Sequence, residues 1–443
     1  MMNEVFDLAV IGSGVAGSAV AFKCKKRGLK VAIIEKDAFG GTCPNRGCDP
    51  KKILWGASQI AASAKNISHV FDGQIKLDWP QLIKFKKTFT DPVSGKRKKS
   101  LEQSGIEVIE GQAQFTGPHT IQVGSRMIKA KKIVIASGSK PRPMGLEGAS
   151  HIITSDQFLE YESLPPSILF IGGGYISFEF AHIAVNSGVD ITILHIDDRP
   201  LSMFDKDLVD RVLKISREAG INFIPNAPAR AIKKQGNKII VSTDNQSFEC
   251  DLAIHGAGRV ADIDSLNLEA ANVEYGQGIK VNSYMQSISN DHIYAAGDCV
   301  ESSPPLTPVA SMEAGTVVEN IIEGNRHAMD YSVIPSVVFT IPPLGSVGLG
   351  EEQAKKEGLE FDVAFKDASN WYNNRRLGIK HAAFKVLKEK QTGRLLGVHL
   401  LYPHAEDLMD IFSLILRNNL NTQQIKDTVL TYPSNTSDIK YMI

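Results

Sequence analysis

Apolar residues along the chain fall into short continuous runs separated by stretches of helical spacing, and the order of these signals repeats. Phe6–Ile11 reads as a strand buried on both faces, Gly12-Ser13-Gly14-Val15-Ala16-Gly17 opens a helix that runs to about Gly28, and Leu29–Ile34 reads as a second strand. Strand, helix and strand in that order make a βαβ unit. The pattern returns downstream. Ser167–Ile171 reads as a strand, Gly172-Gly173-Gly174-Tyr175-Ile176-Ser177 opens a helix ending at Gly188, and Asp190–Leu194 is again strand-like. One glycine fingerprint alone is weak evidence. Two, each after a strand, before a helix and inside a unit of the right length, point to two dinucleotide sites.

The remaining pattern sets the domain expectation. Lys132–Ala136 reads as a strand leading into Ser137-Gly138-Ser139, and Pro141 and Pro143 mark an exit with a hinge near Pro143–Gly148. Leu252–Gly258 and the run from Asp291 to Asp298 read as later strands. From about Tyr331 the texture changes to alternating strands, at Ser336–Thr340, Ala382–Leu387 and Leu395–Leu401, followed by an amphipathic helix at Ala405–Asn418. The expected order is a first dinucleotide domain over 1–145, a second over 146–262, a return to the first over 263–330, and an α+β domain over 331–443. The fold class is α/β, with two Rossmann-like domains and a C-terminal α+β domain.

Composition narrows the function classes. At 443 residues the chain exceeds one ordinary core. Its formal net charge is zero, which removes the general electrostatic reason to expect nucleic acid or an anionic membrane as partner. The start lacks the features of a secretory signal and no apolar run is long enough to span a bilayer, so the expected address is the cytoplasm. Five cysteines make no disulfide scaffold in a reducing compartment. Cys24, Cys250 and Cys299 stand alone and read as small buried hydrophobes.

Cys43-Pro44-Asn45-Arg46-Gly47-Cys48 is different. It follows Gly40-Gly41-Thr42, and Pro50 suits the first turn of a helix beginning there. A thiolate at a helix start, with Arg46, Lys51 and Lys52 nearby, should ionise below the free value of roughly 8.5, although Asp49 opposes this. A zinc half-site is the competing reading, but no second cysteine pair or Cys/His cluster completes one, so no metal is expected. Glu35 ends the second strand, where a carboxylate accepts hydrogen bonds from ribose hydroxyls. Gly172 to His195 spans the same separation as Gly12 to Glu35, so His195 takes the ribose-reading position of the second site. His195 or Arg199 could meet a 2′-phosphate, which favours NADPH over NADH, whereas Ile196, Asp197 and Asp198 supply no cationic clamp; an inert strand-end histidine is the competing reading.

With these motifs assembled, GGTCPNRGCDPKK resembles the redox motif of the glutathione reductase and dihydrolipoamide dehydrogenase family of flavoprotein disulfide reductases. GSGVAG with Glu35, IVIASGSKP, GGGYISFE, GAGR, YAAGD and LTPVA extend the resemblance over nearly the whole chain. The resemblance implies FAD in the first domain, NAD(P)H in the second and a C-terminal dimerisation domain. It implies Cys48 as the sulfur against the flavin and Cys43 as the interchange thiol, with Lys51 and Glu179 paired beside the flavin and Tyr175 gating the nicotinamide. For cofactor binding it implies Gly12, Ser13, Gly14, Ala16, Gly17, Glu35 and Lys36, then Gly41, Thr42 and Lys51, then Ala136, Ser137 and Gly138. Further along it implies Gly172, Gly174, Tyr175, Ile176, Glu179, His195 and Arg199. Gly258, Arg259, Gly297, Asp298, Leu306, Thr307, Pro308 and Ala310 complete the set.

The chain departs from the family at its end. Glutathione reductases and dihydrolipoamide dehydrogenases carry a His-Pro-Thr segment whose histidine is the acid/base of the partner subunit's site; here the segment reads Thr431-Tyr432-Pro433-Ser434, and no histidine follows His404. Tyr432, with a reference pKa of about 10, can donate a proton but is a poor base at neutral pH. The family's glutamate five residues on is also replaced, by Ser437, with Asp438 one further. A tyrosine here resembles mercuric and coenzyme A disulfide reductases, but mercuric reductases end in a cysteine pair and this chain ends Lys440-Tyr441-Met442-Ile443, which disfavours mercury. The expected activity is NAD(P)H-dependent reduction of a small-molecule disulfide by a homodimer with shared sites. A flavin-dependent oxidase or quinone reductase that bypasses the cysteines, and an FAD-binding redox sensor without efficient turnover, are the alternatives. The basic stretches Lys84–Lys87 and Lys96–Lys99 are expected to be solvated helix face and loop.

Overall fold

The computed structural model describes residues 4–73 and 75–443. Contacts divide the chain into two compact units. One gathers the chain up to Lys52, Lys84–Pro143 and Gly258–Asp330; the other gathers Ile53–Ile83, Met144–Ala257 and Tyr331–Ile443.

The first unit is built on a sheet whose parallel part runs Glu107–Glu110, Val31–Glu35, Glu4–Ile11, Arg126–Ile135. Val31–Glu35 is buried at every position, as a continuous apolar strand covered on both faces requires. Arg126–Ile135 serves two partners on one edge. Its first half pairs antiparallel with Thr120–Val123, which leads to Ala113–Gly117, and its second half pairs parallel with Ile293–Ala295. The chain thus returns to this sheet after the Met144–Ala257 segment of the second unit. Helices Val15–Lys26 and Thr307–Glu323 pack together in this unit.

In the second unit, a parallel sheet runs Ile221–Ile224, Asp190–Leu194, Ser167–Ile171, Leu252–His255. A three-stranded antiparallel sheet follows, Ala231–Gln235, Lys238–Ser242, Ser247–Cys250. The C-terminal region forms a five-stranded antiparallel sheet, ordered Ser336–Val338, Leu344–Gly348, Leu395–Leu401, Ala383–Glu389, Phe361–Asp367, with helix Ala405–Arg417 against it. That helix buries Leu408, Met409, Phe412 and Ile415, a spacing of three and four that places them on one face.

The helix expected to reach Gly188 ends at Ala184 and tightens into a 3₁₀ turn over Val185–Ser187, with Gly188 left-handed at φ 81°. Glycine takes that conformation without Cβ strain. The basic stretches lie on two helices, Trp79–Thr90 and Val93–Gln103, and Lys86 is fully buried instead of solvated. Among the described residues no helix is long and apolar enough to cross a membrane.

Candidate functional site

The first glycine loop is shaped by close backbone approaches. A Cβ on Gly12, at φ 99°, would lie 2.3 Å from the Ala136 carbonyl oxygen, and one on Gly17 would lie 1.9 Å from that of Gly12. Gly41 stands against Gly14, where a Cβ would come within 2.6 Å of the Gly14 Cα. Gly14 caps helix Val15–Lys26 without a side-chain hydrogen bond, so no side chain covers the first-turn amides. Such a turn suits a pyrophosphate through its amides and dipole. Glu35 is buried at the strand end. Its Oε2 accepts the Ser13 amide at 2.8 Å and hydroxyl at 2.7 Å, and its Oε1 accepts the Asp37 amide at 2.9 Å, which leaves lone-pair capacity on Oε1 for a ribose hydroxyl. The Ser137 hydroxyl is buried, with the Cys299 thiol as neighbour. The open helix start and the spare lone pair of Glu35 fit an adenine dinucleotide.

Gly297 brings Ala16 and Ala310 together, each Cβ lying 3.6 Å from where its own would stand. The Gly297 amide donates to the buried Glu313, and Asp298 accepts from Ser139 at 2.9 Å. Arg259 donates to the Ser139 hydroxyl at 3.0 Å and carbonyl at 2.6 Å, with Gly258 beside it at φ 96°. Glu313 and Ser139 escape sequence reasoning because each acts through a partner remote in sequence. Lys36 pairs with Asp262 at 2.6 Å.

Cys43 lies in the short helix Thr42–Arg46 and Cys48 is the first residue of helix Cys48–Asn66. Both are free thiols. Cys48 lies 3.3 Å from the Thr307 hydroxyl, in the first turn of the helix that Leu306 caps and Pro308 helps start. Its thiol pKa is lowered to about 6, first by the Cys43 hydrogen bond, then by Thr307 and the Lys51 charge, against burial and Asp49. Cys43 moves the other way, raised by donating to Cys48, by burial and by the neighbouring negative charges. The first thiolate of the reduced pair therefore sits on Cys48. In the reduced protein, thiolate absorbance is expected to grow as pH rises through about 6 and to disappear below it; a titration near the ordinary thiol value would contradict this. By contrast, burial pushes the thiols of Cys24, Cys250 and Cys299 up to about 12.

In the second unit, a Cβ on Gly172 would lie 2.4 Å from the Gly256 carbonyl oxygen, and Gly174 caps helix Tyr175–Ala184 without a side-chain bond. The buried Ser177 hydroxyl has no hydrogen-bond partner among the described residues. Tyr175 is 46% exposed at the helix start, and Ile176 is half-buried. Glu179 is buried and accepts the Phe339 amide at 2.9 Å. His195 accepts the Gly173 amide at Nδ1, 3.0 Å, and Arg199 donates to Asp210 at 2.7 Å. The other ring nitrogen of His195 lies 3.1 Å from the Arg199 carbonyl.

Tyr432 is 73% exposed. Asp438, one residue beyond the position of the family's glutamate, turns inward, accepting from Tyr402 at 2.6 Å and from Asn373 at 3.1 Å, and so anchors the C-terminal segment.

A family described as "Pyridine nucleotide-disulphide oxidoreductase" matches residues 6–314, and its dimerisation domain matches residues 334–443. The chain is 32% identical to a mercuric reductase of Lysinibacillus sphaericus, over 98% of this chain and 81% of that protein. It is 31% identical to a glutathione reductase of a Nostoc species, over the whole of both. A solved Cu(II) complex of the HOCl-induced flavoprotein disulfide reductase RclA from Escherichia coli superposes with a TM-score of 0.91, at 26% identity, over 100% of this chain and 99% of that one.

Proposed function

Since the chain belongs to the pyridine nucleotide-disulphide oxidoreductase family, we propose that it reduces a small-molecule disulfide with electrons from NAD(P)H, using FAD and the Cys43–Cys48 pair. One observation carries the reading: Cys48 opens a helix with its free thiol 3.3 Å from the Thr307 hydroxyl, and the free thiol of Cys43 lies in the short helix just before it. The dinucleotide-shaped loop around Gly12, Glu35 and Ser137 would hold FAD, and the loop around Gly172 the nicotinamide nucleotide. Bound flavin supplies a two-electron relay between nicotinamide and the sulfur pair.

The chain's own residues then perform thiol exchange. Cys43 attacks one sulfur of the substrate; the substrate S–S bond breaks and a mixed disulfide forms on Cys43. The Cys43 thiol lies 4.0 Å from the Asp49 carboxylate, and the proton it releases passes to the Cys48 thiolate. This transfer takes the place of the base that the missing histidine would provide. The departing thiolate takes a proton from Tyr432, contributed by the other protomer of a homodimer, or from water. Cys48 then gives its proton to the second departing sulfur as it attacks Cys43, the mixed disulfide breaks and the pair closes, and the proton taken up from water restores Tyr432. In sum, one disulfide, one NAD(P)H and one proton yield two thiols and NAD(P)+.

Tyr432→Phe should slow disulfide turnover only about tenfold, because a thiolate is a good leaving group and acid catalysis adds little to its departure. Stopped-flow measurement should show flavin reduction unchanged. Unaltered disulfide turnover would remove Tyr432 from the mechanism.

The reading is tested by steady-state oxidation of NADH and NADPH with a panel of low-molecular-weight disulfides, quinone and oxygen as acceptors. Many turnovers with a disulfide are expected. Turnover with quinone or oxygen alone, retained when both cysteines are serine, would establish an oxidase or quinone reductase. Absence of repeated turnover with every acceptor would establish a sensor. A second reading rests on the softness of the thiol pair: two adjacent sulfurs suit copper, and one similar structure is a Cu(II) complex. Cysteine-dependent NAD(P)H oxidation with Cu(II), exceeding that with every disulfide, would favour it.

A further inference from the structure

We propose that the second glycine loop selects NADH over NADPH, with Asp197 and Asp198 excluding a 2′-phosphate and His195 bracing the loop instead of reading the ribose. The inference rests on the preceding assignment of this loop to the nicotinamide nucleotide.

The two loops make the same internal bond with different chemistry. In the first, the Ser13 amide donates to Glu35 Oε2 at 2.8 Å; in the second, the Gly173 amide donates to His195 Nδ1 at 3.0 Å. The carboxylate keeps capacity for a ligand after making its bond, but the imidazole does not. Because Nδ1 accepts, the proton resides on Nε2, which donates to the Arg199 carbonyl at 3.1 Å. Both ring nitrogens are occupied within the loop. The ring also lies so close to Gly173 that a Cβ there would stand 2.8 Å from its Cγ. His195 is a positioning residue in this arrangement, joining the glycine turn to the segment that ends at Pro200.

The local charge follows from where that segment directs its side chains. Arg199, the cation best placed in sequence to bind a phosphate, donates to Asp210 Oδ1 at 2.7 Å and to the Lys206 carbonyl at 3.0 Å, and so is turned onto the following helix. Asp197 is 72% exposed, with Oδ2 3.9 Å from His195 Nε2, and Asp198 is exposed beside it. A 2′-phosphate carries close to two negative charges at neutral pH and would approach these carboxylates while Arg199 is held on Asp210. Like charges brought together disfavour the wrong ligand strongly, whereas an unphosphorylated ribose avoids the conflict.

The test uses the FAD-loaded protein and two readouts. Calorimetric titration compares ADP-ribose with 2′-phospho-ADP-ribose, and steady-state kinetics compares kcat/KM for NADH and NADPH. ADP-ribose should bind at least about tenfold more tightly, with NADH preferred by a similar factor. Added salt should shrink the difference, because exposed charges are screened over about 8–10 Å at physiological ionic strength. The double variant Asp197→Asn/Asp198→Asn should reduce the preference about tenfold, and Asp210→Asn, which releases Arg199, should move it in the same direction. Preference for NADPH and its fragment, or a ratio unmoved by these variants, would overturn the inference while leaving the disulfide reductase reading intact. Failure of both nucleotides to reduce the flavin would overturn both.

Discussion

Replacing Cys43 with serine should lower disulfide turnover by roughly a thousandfold or more while leaving flavin reduction by the nicotinamide nucleotide near the wild-type rate. A serine hydroxyl neither attacks a disulfide at neutral pH nor forms the mixed intermediate, so the exchange stops at its first bond. The substitution leaves the glycine-loop contacts of Gly12 and Gly172 with their own partners intact, so FAD content and nucleotide binding should persist. Cys43→Ala, which leaves no donor at this position, removes the contact that most strongly lowers the Cys48 pKa. Residual thiolate absorbance in Cys43→Ala should therefore titrate at higher pH than in the wild type. Undiminished disulfide turnover would exclude the exchange mechanism, and a titration that stays near 6 would exclude the hydrogen bond as its cause.

The second large effect concerns stability. Lys385, on strand Ala383–Glu389, is 1% exposed and donates to Asp205 Oδ2 at 2.7 Å and to Asp207, with Glu351 3.5 Å away. Asp205, itself 5% exposed, accepts the Asp207 and Leu208 amides as N-cap of helix Lys206–Glu218. The ion pair thus ties the helix that follows the second glycine loop to the C-terminal sheet. Lys385→Met retains most of the side-chain stem but strands a buried carboxylate, and should cost about 3–5 kcal/mol. The double variant Lys385→Met/Asp205→Asn should recover most of this, because asparagine still caps the helix and carries no charge.

Lys140→Met is the matched control. Its partner Asp264 is 72% exposed, and the second carboxylate near Lys140, Asp262 at 3.7 Å, keeps Lys36 at 2.6 Å, so the loss of Lys140 should cost less than about 1 kcal/mol. Urea denaturation of the FAD-loaded proteins gives all three values; equal losses for Lys385→Met and Lys140→Met would refute the account. The pH sign follows from the bonds. Burial alone would lower the Lys385 pKa, but Asp205 and Asp207 outweigh it and the net shift is upward. Its contribution is therefore complete below the ordinary lysine value of about 10.4 and is lost as pH rises through the folded value.

What the sequence discloses and what it hides divide along physical lines. Ser167–Ile171, Asp190–Leu194 and Leu395–Leu401 form over the same residues that their apolar runs mark, because nothing in those runs competes with a buried strand. The equal spacing of Glu35 and His195 is legible because βαβ geometry fixes where a second strand ends, and the loop amides confirm that the two positions correspond. The commitment of His195 was not legible. It depends on the Arg199 carbonyl and on a glycine small enough to admit the ring, neither of which a residue type reveals. The inward turn of Asp438 depends on Tyr402 and Asn373, far away in sequence, and the burial of Lys86 defeats the rule that a lysine-rich stretch is solvated. The short hairpin of Ala113–Gly117 and Thr120–Val123 lacks an apolar run long enough to stand out from its surroundings.

The central claim is that electrons leave the flavin through the sulfur pair. Anaerobic reductive titration of the FAD-loaded protein tests it most directly. The account predicts uptake of two electron pairs per flavin, with long-wavelength absorbance after the first, and of one pair without that absorbance when both cysteines are serine. Uptake of a single pair by the wild type, or identical titrations of the two proteins, would contradict it.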